Sequence, residues 1–240
     1  MPTDPVIGIV GHGYAVPRPF GELPVAGTPQ RFVDALVAAG TRPVVLPSRH
    51  AVELLDLVDG LVLTGGGDLD PAWYGGPAEM AREVDRERDV AEIELVKTAA
   101  DLSIPLLGVC RGLQVLVVAF GGTLVSDLPH EIPFVGHPIT AQPGSLVARL
   151  VGLERRTTAL HRQAVSEPGG SWLATAWADD GIIEAVEWTA GGWPVLGVQW
   201  HPEHEWDTTG AAVFGWLREA AEDSRRSVGE KVAQEALRPL

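Results

Sequence analysis

LLGVCRGLQ, Leu106–Gln114, is the stretch whose reading decides the fold. Leu106, Leu107 and Val109 form a short apolar run. Behind it, Arg111–Phe120 carries apolar residues at Leu113, Val115, Leu116, Val117, Val118 and Phe120. The pattern predicts a buried strand running straight into a buried helix. The only cysteine of the chain, Cys110, stands at the junction, with Gly108 before it and Gly112 after it. Small neighbours permit a sharp, strained turn of the kind that presents a nucleophile. A thiol at a helix N-terminus faces the positive end of the helix dipole, which favours thiolate. A buried structural cysteine is the alternative, and this stretch alone leaves both open.

Working outward, the first half alternates strand and helix. Val6–Val10 reads as a strand and Gly11–Gly27, rich in Gly and Pro, as a loop. Thr28-Pro29 reads as an N-cap followed by proline at the first helical position, opening a helix to about Ala39. Pro43–Leu46 is a second strand, Ala51–Leu57 a short helix, and Gly60–Leu63 a third strand that enters the loop Thr64–Gly76. Asp85 caps a helix to about Leu102, and Pro105–Val109 is the fourth strand. Short apolar strands separated by helices predict a three-layer α/β fold, its central sheet largely parallel with helices on both faces. In such sheets ligands gather at the carboxyl ends of the strands, where Gly65–Gly67 and Cys110 both fall.

The second half reads differently. Gly121–Val125 is a short strand or turn, and Ser126–Gly136 a loop. Trp172–Trp177, Ile182–Trp188 and Val195–Trp200 are rich in β-branched and aromatic residues and predict a small antiparallel region. Asp179-Asp180-Gly181 makes the hairpin turn between the first two. Asp207–Ala221 is the last helix. Positions 1–221 read as one domain, and Glu222–Leu240 as a surface helix or frayed tail.

Composition removes several functions. The 240 residues are 45% hydrophobic, enough for a full core. With 18 basic and 32 acidic residues the net charge is −14, which argues against nucleic acid or an anionic membrane as partner. A single cysteine excludes an intrachain disulfide and fits a reducing, cytoplasmic setting. No basic n-region and no long apolar segment is present, so neither a signal peptide nor a membrane span is expected.

A second chemical motif follows Val195–Trp200: His201-Pro202-Glu203 puts an imidazole and a carboxylate just past a strand end. If His201 reaches Cys110, it can take the thiol proton and later protonate a leaving amine. Glu203 can hold the second ring nitrogen. Taken alone, His201 reads first as a polar residue in a surface turn. Thr64–Pro71, TGGGDLDP, leaves glycine N–H groups free to face a developing oxyanion, with the Arg111 N–H as a second donor. A phosphate loop would end in Gly-Lys-Ser/Thr, which is absent, so nucleotide binding is disfavoured. His204, between Glu203 and Glu205, lacks helical metal-ligand spacing; no metal and no cofactor are expected. Trp73 and Tyr74 read as pinning the glycine loop. His12, His50, His130 and His137 read as surface or loop residues.

GVCRGLQ, Gly108–Gln114, matches the G-x-C-x-G-x-Q elbow of class I glutamine amidotransferases, and GVQWHPE, Gly197–Glu203, their C-terminal His-x-Glu motif. The chain further resembles the γ-glutamyl-γ-aminobutyrate hydrolase branch, the C26-type peptidases. That likeness rests on DGLVLTGGGDLDPAWYG (Asp59–Gly75), RDVAE (Arg88–Glu92), GGTLVSDLP (Gly121–Pro129), LHRQAV (Leu160–Val165) and ADDGIIEAVE (Ala178–Glu187). The resemblance covers about Val6 to Leu217 and implies a flavodoxin-like, class I glutamine amidotransferase-like fold. It implies attack by Cys110 on a γ-glutamyl amide, with a glutamyl thioester that water hydrolyses. His201 is then base and acid, Glu203 its orienting partner, and Gly66, Gly67 and Arg111 the oxyanion donors through backbone N–H. Gln114, His161 and Gln163 match the region that holds the glutamyl end, while His161 reads equally as a packed histidine.

Two departures stand out: Arg162 replaces the second histidine of the family's usual LHHQAV, and the link from Pro129 to His137 is short. Both leave the amine half of the substrate open. A glutaminase subunit feeding ammonia to a synthase, and a non-catalytic regulatory protein on the same fold, are the alternatives. The expected partner is a small γ-glutamyl amide; a homodimer is compatible with the sequence, and a synthase partner ranks lower.

Overall fold

The computed structural model describes residues 4–128 and 136–236, without the side chains of 207 and 228–236. In chain order the strands begin with β1 (Val6–Arg18), β2 (Gly21–Gly27), β3 (Arg42–Pro47), β4 (Gly60–Leu63), β5 (Leu106–Val109) and β6 (Thr123–Val125). They continue with β7 (His137–Ala141), β8 (Glu154–Thr157), β9 (Ala164–Glu167), β10 (Trp172–Ala178), β11 (Ile183–Trp188) and β12 (Val195–Val198). The helices are α1 (Gln30–Ala38), α2 (Arg86–Asp101), α3 (Arg111–Ala119), α4 (Leu146–Val151) and α5 (Ala211–Ala236).

The middle of the sheet is the parallel run β3-β1-β4-β5-β12. An antiparallel wing, β11-β10-β7-β8, extends it on the β12 side. Every residue of β4, β5 and β12 is buried, because helices cover both faces. Alternation along the strands sorts side chains into two cores. Leu61, Leu63 and Leu106 pack with α2 and α3; Val62, Leu107 and Val109 pack with α1, α4 and α5. All nine residues of α3 are buried, the polar Arg111 and Gln114 as well as the apolar run Val115–Ala119. Gly108 lets this helix fold back on its own strand. A Cβ there would lie 2.6 Å from Leu116 Cδ1 and 2.8 Å from the Gly112 backbone.

The layered α/β architecture with its antiparallel region is the expected one, and several local readings change. Gly11–Gly27 is a ribbon, not a loop: β1 continues to Arg18 and pairs with β2 in register Tyr14↔Val25 and Val16↔Leu23. Its Gly and Pro residues imitate a loop, and Pro24 is tolerated because β2 is an edge strand. Thr28 does not cap α1. The helix starts at Gln30, with no side-chain cap, and the Thr28 hydroxyl is buried without a partner. Val52–Leu57 forms a 3-10 turn rather than an α-helix. Asp85 caps α2 as expected, accepting the Arg88 N–H at 3.1 Å.

The last helix starts later than expected and runs further. Trp206–Gly210 is a π-turn, in which the Glu205 carbonyl accepts N–H groups from Thr208, Thr209 and Gly210. α5 then continues unbroken to Ala236, so the described part of 222–240 is helical. The short link 129–135, with His130, lies outside the described residues. No helix among the described residues is long and apolar enough to cross a membrane.

Candidate active site

Three adjacent parallel strands end at one place. β5 pairs with β4 on one side and β12 on the other, in register Leu63↔Gly108 and Val109↔Val198. Neighbouring strands lie about 5 Å apart, so whatever follows their carboxyl ends is brought together. Cys110 follows β5, the glycine loop follows β4 and His201 comes just after β12. The fold thus joins residues some ninety positions apart.

Cys110 sits at φ 54°, ψ −108°, a region that costs a non-glycine residue about 1–3 kcal/mol. Its N–H is tied to the Val198 carbonyl at 2.8 Å, and α3 begins at the next residue. The thiol is nearly buried, with Sγ 3.6 Å from the Leu160 carbonyl oxygen. The space over Gly65 locates the imidazole. A Cβ at Gly65 would lie 3.3 Å from His201 Cε1 and 3.7 Å from Cys110 Cβ, so both side chains crowd that glycine.

His201 Nδ1 meets Glu203 Oε1 at 2.7 Å, and Glu203 is buried. Pro202 begins the 3-10 turn that brings the two side chains onto one side. The His201 N–H donates to the Thr158 carbonyl at 2.8 Å. With Nδ1 engaged, Nε2 is the nitrogen left for the sulfur; it is buried and has no hydrogen-bond partner among the described residues. Burial alone would lower the His201 pKa. Cys110 on one side and the Glu203 carboxylate on the other outweigh it and push the value up to about 11.

A cavity of about 820 Å³ opens in front of Cys110. Gly66, Gly67 and Arg111 line it, and none of their backbone N–H groups hydrogen-bonds to a described residue. Gln114, His161 and Gln163 line it as well. Gln114 Nε2 is spent on the Gln163 carbonyl at 2.9 Å and Gln199 Oε1 at 3.3 Å.

Gln163 has a task other than the one the resemblance implies. Its Oε1 accepts the Leu69 N–H at 2.8 Å, while its Nε2 donates to the Leu69 carbonyl at 3.2 Å and Tyr74 Oη at 2.9 Å. Both ends of the amide hold the glycine loop, and Tyr74, bonded also to Ser126 Oγ, pins it as expected. His161 combines its two readings. It lines the cavity, yet Nδ1 meets the Gln163 carbonyl at 3.0 Å and Nε2 lies 3.5 Å from buried Glu184. The same carboxylate meets His137 Nε2 at 3.1 Å, so His137 is a buried, paired residue and not a surface one. At the rim, Arg162 binds Asp127 through Nε at 3.0 Å and Nη2 at 2.7 Å, with Asp68 4.0 Å away.

One set of charged side chains at the site is assigned no role by the sequence. Under the glycine loop, Arg88 Nε binds Glu92 at 2.7 Å, and Glu92 also binds Arg111, whose Nη2 reaches Asp89 at 2.5 Å. All four are buried. Burial opposes the Glu92 charge, but the Arg111 and Arg88 guanidiniums hold its pKa below the ordinary value. The i,i+4 spacing of Arg88 and Glu92 is legible in RDVAE; the contribution of Arg111 is not. His204 approaches Glu203 at 4.0 Å, and no cluster of three or more His, Cys, Asp or Glu that could hold a metal occurs among the described residues.

Comparison with known proteins gives the family and the fold. The sequence profile of Peptidase C26 matches residues 5–203. "Putative glutamine amidotransferase Rv2859c" of Mycobacterium tuberculosis is 35% identical over 219 residues, covering 85% of this chain and 71% of that protein. Gamma-glutamyl-gamma-aminobutyrate hydrolase PuuD of Escherichia coli K12 is 30% identical over 200 residues, covering 72% and 77%. Among solved structures, a "putative gmp synthase" component of Thermoplasma acidophilum superposes with TM-score 0.72 at 18% identity, covering 94% of this chain and 98% of that one. That last likeness shows the fold: a class I glutamine amidotransferase-like, flavodoxin-like architecture. The chain belongs to the peptidase C26 family, and its activity is of the hydrolase and amidotransferase type, acting on amide bonds.

Proposed function

We propose that this protein hydrolyses a γ-glutamyl amide, γ-glutamyl-γ-aminobutyrate or a related γ-glutamyl amine, to glutamate and the free amine. The observation that carries the reading is the convergence of Cys110 and His201 over Gly65, with Glu203 holding the far nitrogen of the imidazole. Cys110 gives its proton to His201 and its sulfur attacks the amide carbon. The carbonyl electron pair moves onto oxygen, facing the N–H groups of Gly66, Gly67 and Arg111. Collapse breaks the C–N bond, and the amine leaves with the proton from His201 Nε2. Water then loses a proton to His201 and attacks the thioester carbon. The second tetrahedral adduct expels the sulfur, which recovers its proton as glutamate leaves. Glu203 holds Nδ1 throughout and stabilises the imidazolium.

A panel of γ-glutamyl amides and glutamine, assayed with wild type and Cys110→Ala, tests this. The wild type should release glutamate from one or more γ-glutamyl amines faster than from glutamine. Cys110→Ala should lose about 10³-fold or more in kcat. Hydrolysis surviving in Cys110→Ala would refute the mechanism. Glutamine as the preferred substrate would favour the glutaminase reading instead, which the name of the Mycobacterium relative supports.

A further inference from the structure

The four buried charges beneath the glycine loop are the least expected feature near the cavity. A buried ion pair adds little net stability, and apolar side chains of similar volume serve as well or better. Their use here is geometric. Arg88 Nη2 donates to two successive loop carbonyls, Thr64 at 3.3 Å and Gly65 at 3.2 Å. No peptide bond is cis among the described residues. In a trans peptide the C=O and the following N–H point in opposite directions. Holding the Gly65 carbonyl toward α2 therefore turns the Gly66 N–H the other way, on the side where Gly66 lines the cavity beside Cys110.

The guanidinium itself is immobilised. Glu92 takes its Nε and is shared with Arg111, so the residue beside the nucleophile and the loop opposite it hang on one carboxylate. Asp89 extends the link, accepting Arg111 Nη2 through Oδ1 and the Asp70 N–H through Oδ2 at 2.9 Å. Gly66 has no room for a side chain, since a Cβ would lie 2.3 Å from Arg88 Nη1.

We infer that Arg88, locked by Glu92, is a positioning residue that aims the Gly66 amide at the oxygen of the acyl group under attack by Cys110. The inference rests on the acyl-transfer reading above, not on the identity of the acyl group. The test compares two reactions of Cys110 in the full-length protein. Acylation by p-nitrophenyl acetate builds an oxyanion; alkylation by iodoacetamide builds none. In Arg88→Met the ratio of acylation to alkylation rate should fall about 10–100-fold, since a misaimed donor loses much of its effect. Arg88→Lys, which keeps the charge, should recover part of it.

Glu92→Gln frees the guanidinium without removing it and gives an independent reading if Arg88→Met does not fold; its ratio should fall in the same direction. A ratio within twofold of wild type, including both rates falling together, would overturn the inference. A wild type that acylates but hydrolyses no γ-glutamyl amide would instead count against the proposed substrate alone.

Discussion

The parallel centre and the antiparallel wing build the cavity from opposite sides, and they are made differently. In the centre, β4, β5 and β12 are buried along their whole length, and their carboxyl ends deliver the glycine loop, Cys110 and His201. Polar groups there are few and tightly constrained: Cys110 on a strained backbone, an imidazole held by Glu203, and four charges locked together under the loop. In the wing, β8 and β10 are part-exposed, and the segment between β8 and β9 brings His161, Arg162 and Gln163 to the wall. Arg162 and Asp127 meet at the rim, part-exposed to solvent. On the proposed function, the difference gives bond-breaking to the centre and selection of the amine half to the wing.

Perturbing the centre should therefore act on rate, and act strongly. His201→Asn removes the proton carrier and is expected to lower kcat by about 10³-fold. Glu203→Gln should cost about 10²-fold and leave a pH signature. The carboxylate raises the His201 pKa, so losing it must lower that value from about 11. The alkaline limb of kcat/KM, where the imidazolium loses its proton, should move down by about one unit or more. An unmoved limb would mean that Glu203 is not the partner that holds the proton on His201.

Perturbing the wing should act on choice, and weakly. Arg162→Ala leaves Asp127 and Asp68 without their shared cation. KM should fall for amine halves that carry a positive charge and rise for those that carry a negative one, each by about 3–5-fold, with kcat within twofold. Equal effects on both substrate classes would break the division of labour.

The same contrast governs how much of the molecule can be read from its sequence. Strands buried on both faces are continuous apolar runs, so GLVL, LLGV and VLGV announce themselves, and the residues just beyond them announce the chemistry. Cys110 is marked out by its glycines and the helix behind it, but that stretch alone leaves a buried structural cysteine equally open. His201 was ambiguous alone because its meaning lies in the pairing of β12 with β5, a tertiary fact. The ribbon β1–β2 was hidden because exposed strands joined by main-chain bonds need no apolar alternation, and their prolines look like loop residues. His137 and Glu184 are 47 residues apart, and nothing in either segment marks the pair. Gln163 shows the limit of motif matching: it sits in the expected wall, yet both ends of its amide hold the glycine loop.

The central claim is that one sulfur carries the acyl group between amide and water. Rapid-quench mass spectrometry of the intact protein during turnover of a γ-glutamyl amide tests it directly. The account predicts a transient adduct of one glutamyl group, mapped to the peptide bearing Cys110 and absent from Cys110→Ala. Turnover with no adduct at any time, in a Cys110→Ala protein as active as wild type, would contradict it.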